Sequence, residues 1–158
     1  MDVTIILGSK SDWTIMEHCA NTLKEFGVDY DAKVFSAHRT PNELSTYLND
    51  ITENKKVKVI IAAAGLAAHL AGVIASHTIT PVIGVPMEAG ALKGVDALYS
   101  MVQMPPGIPV GTVGIGKPGA INSALFAIAI LSVSDDTLKN KILQYRKSQA
   151  EKVLSQQI

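Results

Sequence analysis

The sequence predicts an α/β domain built on a parallel sheet of about five strands, doubly wound with helices on both faces. Three observations predict it. Short apolar runs alternate with longer stretches of helical periodicity along the 158 residues. The connections between them are short, as repeated strand–helix–strand units require. The strand candidates are mostly continuous apolar runs, the pattern of strands covered on both faces.

"VTIIL" (3–7) reads as a buried strand ended by "GSKSD". A helix follows from about Asp12 to Phe26, with Ile15, Met16, Cys19, Leu23 and Phe26 near one face and Gly27 as its stop. "DYDAKVF" (29–35) is a second, less apolar strand suited to a sheet edge, and "SAHRT" is the loop after it. Pro41 fits the first turn of a helix capped by Thr40 and carrying Leu44, Tyr47, Leu48 and Ile51. "VKVIIAAA" (57–64) is the third strand, followed by Gly65 and a small-residue helix to about His77, which puts His69 in that helix's first turns. "PVIGVP" (81–86) is the fourth strand, and a helix is expected over 93–103. Within the Pro/Gly-rich stretch that follows, "VGTVGI" (110–115) reads as a fifth strand. Helices over about Ala120–Ser132 and from Asp135 to near the end complete a flavodoxin-like order in one domain, 1–158.

Composition narrows the function. Lys plus Arg and Asp plus Glu both number 14, so the formal charge is zero and no basic patch marks a nucleic-acid or anionic-membrane partner. Charged residues are 18 % and mean hydropathy is +0.25, which points to burial against copies of the same chain. Cys19 is the single cysteine, so an intramolecular disulfide is excluded, and no Cys/His spacing suits zinc. The stretch Val59–Met87 lacks Asp, Glu, Lys and Arg, yet its glycines, prolines and two histidines divide it into strand- and helix-sized pieces rather than a membrane span. The first residues lack the basic start of a signal peptide, so the expected location is cytoplasmic.

In doubly wound folds ligands sit beyond the carboxyl ends of the strands, which selects the loops "GSKSD", "SAHRTP", "AAGLAAHL" and "GVPMEAGAL". In the first, Gly8 permits a tight turn, and the Ser9 and Ser11 hydroxyls beside helix N–H groups suit a phosphate. Asp12 suits sugar hydroxyls or simply caps the helix. The spacing is not that of a Walker loop. His38 belongs to the residue type that exchanges protons near neutral pH, and Arg39 offers a planar fork for phosphate or carboxylate. His69 follows Gly65 among small residues that let a ligand approach the backbone. His18 and His77 lack such settings and read as structural; Met101 and Met104 read as core or interface. The carboxylates of a phospho-acceptor pocket are missing from the ends of the first and third strands, which disfavours a receiver domain.

Together "GSKSDW", "SAHRTP", "AGLAAHLAG", "GVP" and "QMPPGIPVGTVGIGKPGAINSAL" closely resemble the 5-(carboxyamino)imidazole ribonucleotide mutases of the AIR carboxylase family, in order from Met1 to about Ile130. The resemblance implies a three-layer α/β/α subunit in a homo-octamer, with a C-terminal helix used in oligomerisation and "QMPPGIP" reaching a neighbour's site. It implies a purine-biosynthesis enzyme without metal or organic cofactor. Such an enzyme moves the carboxylate of a ribonucleotide from an exocyclic nitrogen to a ring carbon through transient CO2.

Residue by residue, the resemblance implies ribonucleotide binding by Ser9, Asp12 and Arg39, with Ser11 beside them, and general acid/base work by His38. It places Ser36, Ala37, Gly65, His69 and Leu70 around the base and the migrating carboxylate. Leu66 stands where glycine or another small residue also occurs. A related branch carboxylates aminoimidazole ribonucleotide directly and tends to carry Lys after the loop histidine without a second histidine; Arg39 and His69 follow the mutase pattern. A nucleotide- or flavin-binding module is the third reading, disfavoured by 5 % aromatic content and by the His38–Arg39 pair.

Overall fold

The computed structural model describes residues 1–55 and 57–156. Among these, five strands form one fully parallel sheet in the order β2-β1-β3-β4-β5. The strands are β1 (Val3–Leu7), β2 (Tyr30–Val34), β3 (Val59–Gly65), β4 (Val82–Met87) and β5 (Gly111–Thr112). The helices are α1 (Trp13–Phe26), α2 (Pro41–Glu53), α3 (Leu70–His77), α4 (Val95–Val102), α5 (Gly116–Leu131) and α6 (Asp136–Leu154), and a single 3-10 turn, Lys10–Asp12, precedes α1.

The period-2 geometry of the strands divides the core in two. Val3, Ile5 and Leu7, with Val59, Ile61 and Ala63 and with Ile83, Val85 and Met87, pack under α1, α5 and the start of α6. Ile6, Ile60, Ala62 and Val82 point the other way, onto Leu44, Leu48 and Ile51 of α2, Ala71 and Ile74 of α3, and Ala97 and Met101 of α4. Three layers result, and β1, β3 and β4 are buried along nearly their whole length. The expected edge position of the second strand is observed, with only partial burial along it. The uncharged run Val59–Met87 becomes β3, α3 and β4; among the described residues no helix is long and apolar enough to cross a membrane.

Several boundaries differ from expectation. The fifth strand shrinks to Gly111–Thr112, pairing only with Ile83–Gly84, and Phe126 lies 3.2 Å from where a Gly111 side chain would begin, so glycine suits that position. Helix α5 starts at Gly116 rather than Ala120. Pro118 sits in its first turn, where a missing N–H removes no helical bond. Gly119 is obligatory there: a Cβ would fall 1.7 Å from the Gly114 carbonyl oxygen. Helix α3 starts at Leu70, so His69 is its N-cap rather than part of its first turns.

Helix ends are closed as their residues dictate. Gly27, at φ 75°, ends α1, with the Gly27 and Val28 N–H groups donating to Lys24 and Leu23 carbonyls. Lys141 Nζ of α6 donates to the Phe26 carbonyl at 2.7 Å, which also opposes the helix's negative end. Asp135 caps α6 through the Leu138 N–H.

Cys19 is 0 % exposed on α1, and the Ser123 hydroxyl of α5 faces its sulfur at 3.5 Å. Burial is the main cause that pushes its thiol up to about 12 from the ordinary 9.0, against the lowering influence of Ser123. The folded state therefore keeps a proton that the unfolded chain releases, so stability present below pH 9.0 is lost as pH rises toward about 12. At pH 8 the native protein should leave Cys19 unmodified by DTNB, and denaturant should release one equivalent of reactive thiol. Fast labelling of the native protein would contradict this burial.

Candidate active site

The first, second, third and fourth strands all deliver their carboxyl ends to the same edge of the sheet. Leu7 pairs with both Val34 and Ala63, and Gly65 pairs with Met87, so the four following loops emerge side by side. Between them lies a cavity of about 590 Å³. Its lining contains every predicted site residue: Ser9, Ser11 and Asp12 from the first loop, Ser36, Ala37, His38 and Arg39 from the second, and Gly65, His69 and Leu70 from the third.

Local bonds shape each loop. After β1, the Ser9 side chain accepts the Ser11 N–H, and the Asp12 carboxylate accepts the Ser9 N–H at 3.2 Å. This reciprocal cap fixes the turn, and the Ser9 and Ser11 hydroxyls lie 2.8 Å apart at its open side. Asp12 therefore closes the 3-10 turn and lines the cavity, but makes no side-chain cap bond to α1. Burial raises its carboxyl above the ordinary carboxylate value, against the lowering effects of the Ser9 N–H and Ser11.

After β2, the chain folds into a closed turn from Ser36 to Thr40. The Ser36 N–H donates to the Thr40 hydroxyl at 2.9 Å, and the Thr40 hydroxyl and N–H both donate to the Ser36 carbonyl. The Ser36 hydroxyl accepts from the Arg39 N–H and Nε. Thr40 thus makes no side-chain cap bond to α2, contrary to expectation, because its hydroxyl is used to close this turn. His38 and Arg39 occupy the apex.

The two loop histidines meet. His38 Nε2 lies 2.8 Å from His69 Nδ1, and the rings stand edge to face at 82°. One ring donates and the other accepts, so the contact holds one proton; two N–H groups cannot point at each other there. Around the pair the wall is Ala37, Ala64, Gly65, Leu66, Ala67, Leu70 and Ala89. Gly65 is needed where the third and fourth loops touch, since a Cβ would fall 2.9 Å from that of Ala89.

Leu66, Ala67 and Ala89 were not singled out in the sequence as cavity residues. Their loops were selected by the strand-end rule, but small apolar side chains carry no chemical signature. The "QMPPGIP" stretch, expected at a neighbouring subunit's site, lies away from this cavity in its own chain. Gly107, Ile108 and Pro109 line a separate cavity of about 680 Å³ with Thr52, His77 and Thr80, at the amino end of β4. Among the described residues no group of three or more His, Cys, Asp or Glu is placed to hold a metal ion.

This constellation can be compared with known proteins. The family model for AIR carboxylase matches residues 2–152. The chain belongs to the AIR carboxylase family. Relatives within it include the N5-carboxyaminoimidazole ribonucleotide mutase of Vibrio vulnificus, 51 % identical over 98 % of this chain and 96 % of the relative. That of Brucella melitensis is 50 % identical over 97 % and 94 %. The crystal structure of Treponema denticola PurE superposes with a TM-score of 0.88 at 30 % identity, covering 96 % of this chain and 93 % of that one. An AIR carboxylase fold with a histidine pair at its strand ends is therefore in hand.

Replacing Thr40 with Val should remove the hydroxyl that closes the His38 turn. Urea denaturation should show a loss of about 1–2 kcal/mol, the range for a half-buried bonded group left unpaired. Substrate KM should rise, because His38 and Arg39 lose their common support. Unchanged stability and KM would show that the turn holds itself.

Proposed function

We propose that this chain is an N5-carboxyaminoimidazole ribonucleotide mutase, an isomerase of de novo purine synthesis. It moves the carboxylate of 5-(carboxyamino)imidazole ribonucleotide to ring carbon 4 within one catalytic domain, without metal or organic cofactor. The observation that carries this reading is the cavity that joins a hydroxyl-lined turn, a guanidinium and a pair of hydrogen-bonded imidazoles inside an otherwise small apolar wall. The names of the relatives support it.

The roles follow from the groups. Ser9, Ser11 and the Arg39 guanidinium receive the phosphate, since hydroxyls and a planar cation are suited to it. Asp12 accepts from ribose hydroxyls. The imidazole base lies against Ser36, Ala37, Gly65 and Leu70, with His38 and His69 facing its reacting edge.

In the first step the carbamate C–N bond breaks, its electron pair stays on nitrogen, and nitrogen takes a proton from His38. CO2 is released into the pocket. The ring carbon, made electron-rich by the amine, then attacks CO2 and forms the new C–C bond. His38 removes the proton from that carbon and aromaticity returns. The proton given in the first step is recovered in the last, so one group serves both. His69, bonded to His38, fixes the ring that moves the proton and lines the space for the carboxylate. Holding CO2 beside its acceptor replaces a dilute encounter with a local one.

The assembly is read as a cytoplasmic homo-oligomer, an octamer by family resemblance, with α6 and "QMPPGIP" at subunit boundaries. Exposed Val95, Tyr99 and Val102 along one side of α4 support association between copies.

The purified protein should convert freshly made 5-(carboxyamino)imidazole ribonucleotide rapidly without metal or ATP, and use aminoimidazole ribonucleotide plus bicarbonate slowly. Efficient use of the second would move the chain to direct carboxylation. Turnover of neither, with nucleotide or flavin still bound, would leave a binding module. In the same assay His38→Asn should fold and bind nucleotide but lose turnover by at least the ~10²–10⁴-fold typical of a positioned acid/base. Normal turnover in that variant would remove His38 from its role.

A further inference from the structure

The edge strand β2 carries the turn of His38 and Arg39, yet it pairs on one side only and is the least buried of the four strands that meet at the site. Register is weakly specified in a strand without a fully buried face, so β2 needs a further support. A buried hydroxyl on β1 supplies it. Thr4 is 0 % exposed. Thr22 and Ser123, also buried, donate to carbonyls of their own helices, whereas the Thr4 hydroxyl meets the Tyr47 phenol of α2 at 2.7 Å, 43 positions away. Thr4 stands directly opposite Asp31 in the register of β1 and β2, and the Tyr47 O–H donates to Asp31 Oδ2 at 3.4 Å. With that donation made, Thr4 donates to Tyr47, so one phenol oxygen joins α2 to both strands.

The ring of Tyr47 has a second contact. Its centroid lies 5.1 Å from that of Phe35, with the planes tilted by 37°. Through Phe35 the chain leaves β2, with the Phe35 N–H on the Leu7 carbonyl, and Ser36 then opens the turn that bears His38. The entry of that turn, its exit into α2 and the strand pair beneath it converge on Tyr47, which does not itself line the cavity. We propose that Tyr47 is a positioning residue for the carboxyl shift: its hydroxyl locks β2 against β1, its ring seats Phe35, and together they hold His38 at His69. The inference rests on the mutase reading where turnover is concerned, and on the histidine contact alone where it is not. Removing the Tyr47 hydroxyl by itself leaves Thr4 buried without a partner, which costs stability; replacing Thr4 as well removes the orphaned group. Stability and positioning thereby come apart in a double-mutant cycle.

Tyr47→Phe should lower Tm by a few degrees and kcat/KM for the carboxyamino ribonucleotide several-fold. Thr4→Val combined with Tyr47→Phe should regain most of the Tm but keep the reduced kcat/KM, since neither strand is then tied to α2. Long-range 1H–15N spectra of the imidazole nitrogens supply a readout that does not depend on turnover. In the wild-type protein the proton between His38 Nε2 and His69 Nδ1 should exchange slowly with water, and in both variants it should exchange several-fold faster. A kcat/KM that returns with the Tm in the double variant, or wild-type proton exchange there, would overturn the positioning role while leaving the mutase reading intact. If the wild-type protein turned over neither the carboxyamino ribonucleotide nor aminoimidazole ribonucleotide with bicarbonate, the mutase reading would fall, and the histidine spectra would decide the role of Tyr47 by themselves.

Discussion

The site depends on the parallel register of β1 between β2 and β3. Because Leu7 lies level with Val34 and Ala63, the turns beginning at Gly8 and Phe35 open at one height, and β3 runs only two residues further, to Gly65, before its own loop begins. Backbone bonds continue past the strands: Gly8 N–H donates to the Ala63 carbonyl and Phe35 N–H to the Leu7 carbonyl, both at 2.9 Å. A slip of one residue would turn every strand side chain to the opposite layer, so the two apolar clusters hold this register against displacement. Core packing therefore sets the distance between His38 and His69, although neither residue belongs to the core.

On this frame the site divides its work between rigid turns and an uncharged wall. The reciprocal bonds of Ser9 and Asp12 and those of Ser36 and Thr40 present polar groups without requiring long flexible side chains to be ordered. The imidazole contact holds the His38 and His69 rings edge to face at the cavity. Ala, Gly and Leu occupy the remaining boundary, where, in the mechanism proposed, a further charge would draw water toward the released CO2.

Much of the fold was legible because parallel sheets write themselves as apolar runs. "VTIIL", "VIIAAAG" and "VIGVPM" are buried almost throughout, and the more polar "YDAKV" marked the edge. Gly27 and Asp135 act as their residue types suggest. Long-range packing decided the exceptions. Gly119 lets α5 begin early against Gly114, and Thr40 spends its hydroxyl on Ser36 rather than on a cap. At the site, the polar residues could be selected from strand-end loops, but the direct bond between His38 and His69 could not. Thirty-one positions separate them, and only the register brings them within 2.8 Å. The left-handed backbone at Leu66 was equally hidden, since leucine carries no signal for it.

The most direct measurement is a crystal structure of the protein with the product ribonucleotide bound. The predicted result has the phosphate within hydrogen-bond distance of the Ser9 and Ser11 hydroxyls and the Arg39 guanidinium. The imidazole then lies between His38 and the wall formed by Gly65 and Leu70, its carboxylate beside His69. A nucleotide seated instead in the cavity of Thr52, His77 and Thr80, or one whose imidazole faces away from His38, would contradict it.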